Sequence, residues 1–258
     1  MSFEAMSNHM LIIERRNAVL LITLNRPENR NSLHPDLIRE LADTLTHTET
    51  DETVSVVVIT GAGTSFCAGL DLIHLLSLDV ESKVAYLRTA FALFSQLYAV
   101  PQPTVAAING PAMAGGFDLA AFCDLRLCAP EAKFAQTEVL LGLTQIMHPI
   151  YKAIGLGRAK ELALTGEAIS AEEAYRIGLV NHIYPMKELL ERSLLLAETL
   201  ANRPREALFE TKLLSRELIE MDTESAMKRM LGAISERLGS EEHRQEAEKY
   251  VARLKDRK

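Results

Sequence analysis

A chain of 258 residues, 48% of them hydrophobic, is long enough to bury a large core in one domain and to carry a helical appendage. Its net charge of −7 argues against a broad surface for nucleic acid or for an anionic membrane. Cys67, Cys123 and Cys128 lack metal-ligand spacing and are typical of free thiols in a reducing cytoplasm, so we expect no metal site. The N-terminus carries no basic-then-apolar signal, and no apolar run is long enough to span a membrane.

The first part of the chain alternates between strand and helix patterns. Residues 11–15 and 18–24 are rich in strand formers and predict an antiparallel hairpin. Helical spacing of apolar residues predicts a helix over 35–48. The uniformly apolar run 54–60 predicts a strand buried on both faces. It ends in a glycine-containing loop, which is where α/β folds usually bind ligands.

The second part of the chain becomes helical. A long amphipathic helix is predicted over 80–100, followed by short buried strands over 104–108 and 125–128. The later segments are helical apart from a short strand at 179–183, with helices predicted over 159–164, 171–177, 186–202, 205–220, 223–238 and 241–254. The pattern predicts an α/β core over residues 1–185 and a helical region over 186–258.

The stretch 109–138 combines a glycine pair with two acids. Gly115 and Gly116 stand where a loop turns into a helix, and a helix start presents unpaired N–H groups that suit a developing oxyanion. Asp118 follows in the first turn, and Glu138 comes later. Two acids in one apolar pocket divide proton donation and acceptance between them. Without further information the same residues also fit close packing, a helix cap and a solvated helix-start acid.

Five motifs, in order, carry a resemblance to a known family. The chain resembles the crotonase superfamily of enoyl-CoA hydratases and isomerases in VLLITLNRPENRNSL (19–33), SFCAGLDL (65–72), PQPTVAAINGPAMAGGFDLAAFCDLRL (101–127), AKFAQTEVLLGL (132–143) and LTGEAISAEEAYRIGLVNHIYP (164–185). The resemblance implies an α/β fold of the ClpP/crotonase type, with a core of repeated ββα units and a C-terminal helical region for oligomerisation. It also implies a cytoplasmic homotrimer or dimer of trimers in fatty acid metabolism, acting on an acyl-CoA thioester without a separate cofactor.

The resemblance also implies site residues. The backbone N–H groups of Leu70 and Gly115 would form an oxyanion hole for the thioester carbonyl, and Asp118 and Glu138 would be the two hydratase acids. For binding of the substrate and its coenzyme A, the implied positions are Ala68, Leu70, Leu72, Gly115, Tyr250 and Lys255.

Two departures from the family pattern bear on the reaction. Asp118 is one methylene shorter than the first glutamate of typical hydratases. Dienoyl-CoA isomerases resemble the chain there, but they use a further Asp where this chain has Ile146. Residues 144–151 replace a glycine-rich loop, and they include His148, a second candidate for proton transfer.

These departures leave three functions open. Enoyl-CoA hydratase is the first. An enoyl- or dienoyl-CoA isomerase or an acyl-CoA decarboxylase is the second. A non-catalytic homologue that binds acyl-CoA or RNA is the third, although the net charge of −7 argues against an RNA surface.

Overall fold

The computed structural model describes residues 10–255. The expectation about an N-terminal signal concerns residues 1–9, which lie outside the described residues. The chain forms two compact units, divided between Glu198 and Thr199.

Nine strands lie in the described residues: β1 Leu11–Arg16, β2 Val19–Leu24, β3 Val56–Gly61, β4 Thr104–Ile108, β5 Ala112–Met113, β6 Leu125–Cys128, β7 Lys133–Ala135, β8 Ile169–Ser170 and β9 His182–Ile183.

The described residues also form eleven α-helices: α1 Pro35–Thr50, α2 Leu72–Ser77, α3 Val80–Ala99, α4 Gly115–Ala121, α5 Ile150–Ile154, α6 Leu156–Thr165, α7 Ala171–Arg176, α8 Met186–Ala201, α9 Arg205–Glu217, α10 Thr223–Leu238 and α11 Glu241–Lys255. Short 3₁₀ helices occupy Pro27–Asn29, Glu138–Leu141 and Leu218–Glu220.

The main sheet has six strands in the order β1-β2-β3-β4-β6-β9. Strand β1 pairs with β2 in antiparallel fashion, and all the other pairings are parallel. Every residue of β3 and β4 is buried, as the unbroken apolar run of β3 predicts for a strand covered on both faces. The carboxyl ends of β3 and β4 therefore meet at one edge of the sheet.

A second, three-stranded sheet has the order β5-β7-β8. Strands β5 and β7 follow β4 and β6 of the main sheet, and each leads into helical structure that carries a candidate acid. The sequence analysis did not predict this sheet, because strands of two or three residues are too short to show alternation. The succession of main-sheet strand, small-sheet strand and helix confirms the predicted fold class.

Most predicted elements occur with ends shifted by a few residues. The hairpin, the long helix and the strands at 104–108 and 125–128 are confirmed. The strand predicted over 179–183 is shorter, and β9 includes only His182–Ile183 because the Leu179 and Val180 amides bond instead to the carbonyl of Ala174. The helix predicted over 205–220 is α-helical as far as Glu217, and a 3₁₀ turn forms its last three residues.

Two glycines allow the segment before α2 to lie against the start of α4. Gly69 has φ +89°, a region that favours glycine, and a Cβ on it would lie 2.9 Å from the amide nitrogen of Gly115. A Cβ on Gly116 would overlap the carbonyl group of Cys67. The two segments are joined by a hydrogen bond from the Met113 amide to the Cys67 carbonyl, at 3.0 Å.

Replacing Gly116 therefore tests this close approach. We expect Gly116→Ala to lower the free energy of unfolding by about 1–3 kcal/mol, because backbone must move to admit the methyl group. The matched control is Gly157→Ala in α6, where nothing lies within 4 Å of an added Cβ. The control should be neutral or stabilising. Denaturant titration of both variants measures the difference, and equal free energies would contradict the close contact.

Candidate active site

Two backbone amides lie on the adjoining segments. Gly115 is the first residue of α4, so its N–H has no acceptor within the helix. Leu70 follows Gly69, whose Cα lies 3.6 Å from the position of a Cβ built on Gly115. Among the described residues, neither the Leu70 nor the Gly115 amide donates a hydrogen bond. Both N–H groups are therefore free of acceptors among the described residues.

An ion pair and a tyrosine hold the chain beside Leu70. Arg26 Nη1 lies 3.0 Å from Asp71 Oδ2. The amide of Asp71 donates to the Tyr86 hydroxyl at 3.0 Å, and this hydroxyl donates to the carbonyl of Leu33. Burial alone would raise the pKa of Asp71, but hydrogen bonds from the His74 amide, Arg26 and Ser32 lower it overall. Asp71 is therefore a buried carboxylate, and its bonds to Arg26 and Tyr86 fix the backbone directly after Leu70.

Ala114 holds an unusual backbone conformation just before Gly115. Its φ is 50° and its ψ is −127°, a region that costs a residue with a Cβ about 1–3 kcal/mol. Its amide donates to the carbonyl of Ala135 at 2.8 Å, and its carbonyl accepts from the Asp118 amide at 3.1 Å. These bonds on both sides keep Ala114 in place and set the direction of the Gly115 N–H.

The two acids lie close enough to influence each other. Asp118 exposes only 3% of its surface. Burial, followed by the charge of Glu138, raises the pKa of Asp118 well above its ordinary value, against a smaller lowering by a hydrogen bond from Gln136. Burial also raises the pKa of Glu138, which is only partly buried. Burial and the charge of Glu138 therefore favour the neutral form of Asp118, and burial also favours the neutral form of Glu138.

Two glutamines lie beside the acids. The side-chain amides of Gln136 and Gln145 both donate to the carbonyl oxygen of Ile146, at 2.6 Å and 2.8 Å. Gln145 Nε2 also lies 3.5 Å from Asp118 Oδ1. The Oε1 atoms of both glutamines and Oε2 of Glu138 are buried, and no donor in the described residues reaches them. These three buried acceptors therefore have no donor from the described part of the protein.

The other predicted residues lie in varied settings. Ala68 is partly buried and its amide donates to the Arg30 carbonyl at 3.0 Å, while Leu72 at the start of α2 is 46% exposed. Tyr250 and Lys255 lie on α11 of the second unit and are both exposed.

The residues of the altered loop are placed differently from one another. His148 is exposed, and its ring lies 5.9 Å from that of Tyr98 and 6.2 Å from that of Phe122. Ile146 is partly buried and packs against the hydrophobic core.

Neither a metal cluster nor a membrane span is found in the described part of the chain. Over residues 10–255, no group of three or more His, Cys, Asp and Glu side chains could hold a metal ion. Over the same residues, each helix is too short or too polar to cross a bilayer.

Comparison with known proteins decides the family. The family model described as enoyl-CoA hydratase/isomerase matches residues 14–257. This chain belongs to the enoyl-CoA hydratase/isomerase family. A putative enoyl-CoA hydratase of Thermus thermophilus is 40% identical over 199 residues, which are 75% of this chain and 79% of that protein. The crotonyl-CoA hydratase of Syntrophomonas wolfei is 33% identical over 226 residues, covering 86% and 87%.

Solved structures of the enoyl-CoA hydratase/isomerase family agree with the fold. The crystal structure of an enoyl-CoA hydratase from Bacillus anthracis superposes with a TM-score of 0.92 at 30% identity, over 95% of this chain and 97% of that one. The family therefore accounts for almost the whole length of the chain.

Sequence reasoning missed several residues of this family member's site. Gln136 stands two residues before Glu138, just after β7. In an extended segment, residues two apart lie on the same face, and this spacing could have placed Gln136 beside Glu138. Gln145, Arg26 and Tyr86 gave no such signal, because each acts on residues distant in sequence.

The raised pKa of Asp118 makes protein stability depend on pH. The folded-state pKa lies above that of an unfolded aspartate, about 3.9. Between these two values the folded protein binds more protons, so stability falls as pH rises through the window. We expect Asp118→Asn to have the melting temperature of the parent at about pH 3.9, the lower limit of this window. At neutral pH and above, its melting temperature should be higher than that of the parent. The gain is about 2–4 °C for each kcal/mol recovered.

An exposed aspartate provides the control for this experiment. Asp79 caps α3 by accepting from the Ser82 amide at 2.8 Å, and hydrogen bonds to Ser82 lower its pKa. Its contribution to stability is present above the unfolded pKa and is lost as pH falls. Asp79→Asn should therefore give no gain in melting temperature at alkaline pH. A pH-independent effect of Asp118→Asn in calorimetry would contradict the burial of a neutral acid.

Proposed function

We propose that the chain is an enoyl-CoA hydratase, which adds water across the 2,3-double bond of an acyl-CoA thioester. Family membership and relatives named as hydratases support a reaction of this class. The observation that carries hydration is the set of buried acceptors on Gln136, Glu138 and Gln145. A water molecule supplies two donor hydrogens to such a set, whereas the apolar enoyl chain supplies none.

The proposed oxyanion hole consists of the Leu70 and Gly115 amides. It would hold the thioester carbonyl oxygen as this becomes the oxygen of an enolate. Two donors that are already oriented need no reorganisation during the reaction, and each is typically worth about 3 kcal/mol. The strained Ala114 and the bonds of Asp71 support the hole by fixing the backbone on either side.

Glu138 is the proposed general acid and base. In its ionised form it accepts a proton from water as the water oxygen bonds to C3 of the substrate. The π electrons move to C2 and into the thioester carbonyl, and Glu138 then returns the proton to C2. Asp118 holds the same water by a hydrogen bond. Glu138 ends in its starting protonation state, so no cofactor is needed.

Isomerisation of the double bond is the alternative reaction. It needs one acid to move a proton between two carbons, so the shorter Asp118 would matter less. The core-packed Ile146 argues against the dienoyl-CoA isomerase pattern, in which the resemblance places a further Asp at this point.

Substrate binding and assembly complete the proposal. The acyl-CoA thioester would lie along the backbone of Ala68, Leu70, Leu72 and Gly115. Contacts of Tyr250 and Lys255 with coenzyme A stay predictions of the family resemblance. Residues 186–258 would provide the contacts of a homotrimer or a dimer of trimers, and the compartment proposed is the cytoplasm.

Variants of the two acids test the reaction. Crotonyl-CoA hydration is followed by loss of the absorbance of the conjugated enoyl thioester. We expect Glu138→Gln to reduce kcat about 10²–10⁴-fold, because the proton acceptor is lost. Asp118→Asn should reduce hydration strongly and leave isomerisation of a 3-enoyl-CoA largely intact. Asp118→Glu should speed hydration if the pocket admits the longer arm. Near-parental hydration by Glu138→Gln would remove Glu138 from the mechanism and make His148 the next residue to test.

A pair of substitutions at one glycine tests the oxyanion hole. Gly115→Pro deletes the N–H and should lower kcat about 10²–10³-fold. Gly115→Ala keeps the N–H, and its Cβ would meet Leu33, Gly69 and Phe94 at 3.5–3.6 Å, which is ordinary contact. The alanine variant should therefore stay near parental activity. Circular dichroism establishes that both fold, and turnover by a folded Gly115→Pro protein at the parental rate would exclude this amide.

A further inference from the structure

Gln145 occupies a position between a main-chain carbonyl and the more buried of the two acids. Its Nε2 donates to the carbonyl of Ile146 at 2.8 Å and also lies 3.5 Å from Asp118 Oδ1. A carbonyl oxygen only accepts hydrogen bonds, so the contact to Ile146 identifies the nitrogen end of the amide. The donor end of Gln145 is thereby directed at the carboxyl of Asp118.

Asp118 has a shorter side chain than the glutamate of typical hydratases, so the orientation of its carboxyl matters. An aspartate reaches less far into the site than a glutamate, and a misplacement of about 1 Å costs roughly a hundredfold in rate. Gln145 belongs to the loop after the Glu138–Leu141 turn, so it approaches Asp118 from outside α4. The loop therefore brings a polar group to the acid that lies deepest in the site.

We propose that Gln145 is a positioning residue that fixes the orientation of the Asp118 carboxyl and favours its ionised form. This inference rests on the proposed function for its consequence in catalysis, but not for its test. The titratable groups that face Asp118 are Glu138 and the buried thiol of Cys67. Both repel a negative charge on Asp118 when they are ionised. The hydrogen bond from Gln136 opposes them by lowering the pKa of Asp118, and the amide of Gln145, 3.5 Å from Oδ1, would act in the same direction.

Infrared spectroscopy tests the contact without any substrate. Labelling the protein with [4-¹³C]aspartate shifts the C=O stretching bands of its protonated aspartic acids. The band that is missing from labelled Asp118→Asn belongs to Asp118. Removing a donor that favours the charged form raises the pKa of a carboxyl. We expect Gln145→Met to move the titration of this band upward by about one pH unit.

Two further variants keep the result interpretable. Gln145→Glu keeps the size of the side chain but replaces the donor by an acceptor, so the band should titrate higher still. Gln102→Met removes a buried amide that donates to the Thr48 carbonyl at 2.7 Å, and it should leave the Asp118 band in place. An unchanged Asp118 titration in the folded Gln145 variants, or an equal shift in Gln102→Met, would overturn the inference.

Kinetics separates this inference from the proposed function. If the protein hydrates crotonyl-CoA, Gln145→Met should lower kcat about tenfold with little change in KM, and the limb of the pH–rate profile should move with the infrared titration. In the Asp118→Asn background the same substitution should have no further effect on that limb. If the parent protein does not hydrate crotonyl-CoA, the proposed function fails while the infrared result still decides the role of Gln145.

Discussion

The close approach of two backbone segments is the constraint on which the site depends. Residues on either side of Gly69 meet the start of α4 because Gly69 and Gly116 carry no Cβ. The amides of Phe66 and Cys67 donate to the carbonyl of Pro111, and Cys67 accepts from Met113 in return. The same contact brings Gly69, the residue before Leu70, against the first residue of α4, Gly115.

The helix that begins at this contact also brings a charge problem. Asp118 lies three residues after Gly115 in the buried helix α4, so the helix that begins with the Gly115 amide also carries a carboxyl in the interior. Burial and the charge of Glu138 favour the neutral form of Asp118, which lowers stability wherever the acid must ionise. Keeping the two acids close together therefore lowers the stability of the fold at any pH where Asp118 ionises.

Hydrogen bonds from outside the helix offset part of this cost. Gln136 follows β7, and Gln145 lies in the loop beyond the 3₁₀ turn of Glu138. Both amides meet at the carbonyl of Ile146, so one main-chain group organises donors from two segments. The loop 144–151, which departs from the family pattern, thus reaches Asp118, the other departure from that pattern, through Gln145 at 3.5 Å.

The sequence alone determined the long elements, because the helices α1 and α3 and the buried strands β3 and β4 carry apolar patterns that local chemistry explains. Through the family resemblance it also predicted that the glycine pair and the two acids belong to one site. Only the tertiary structure brought Gln145 to Asp118 and Tyr86 to Asp71, and only it formed the small sheet of β5, β7 and β8. These contacts join residues far apart in the chain, and their energy depends on burial and direction, which no local pattern of residue types records.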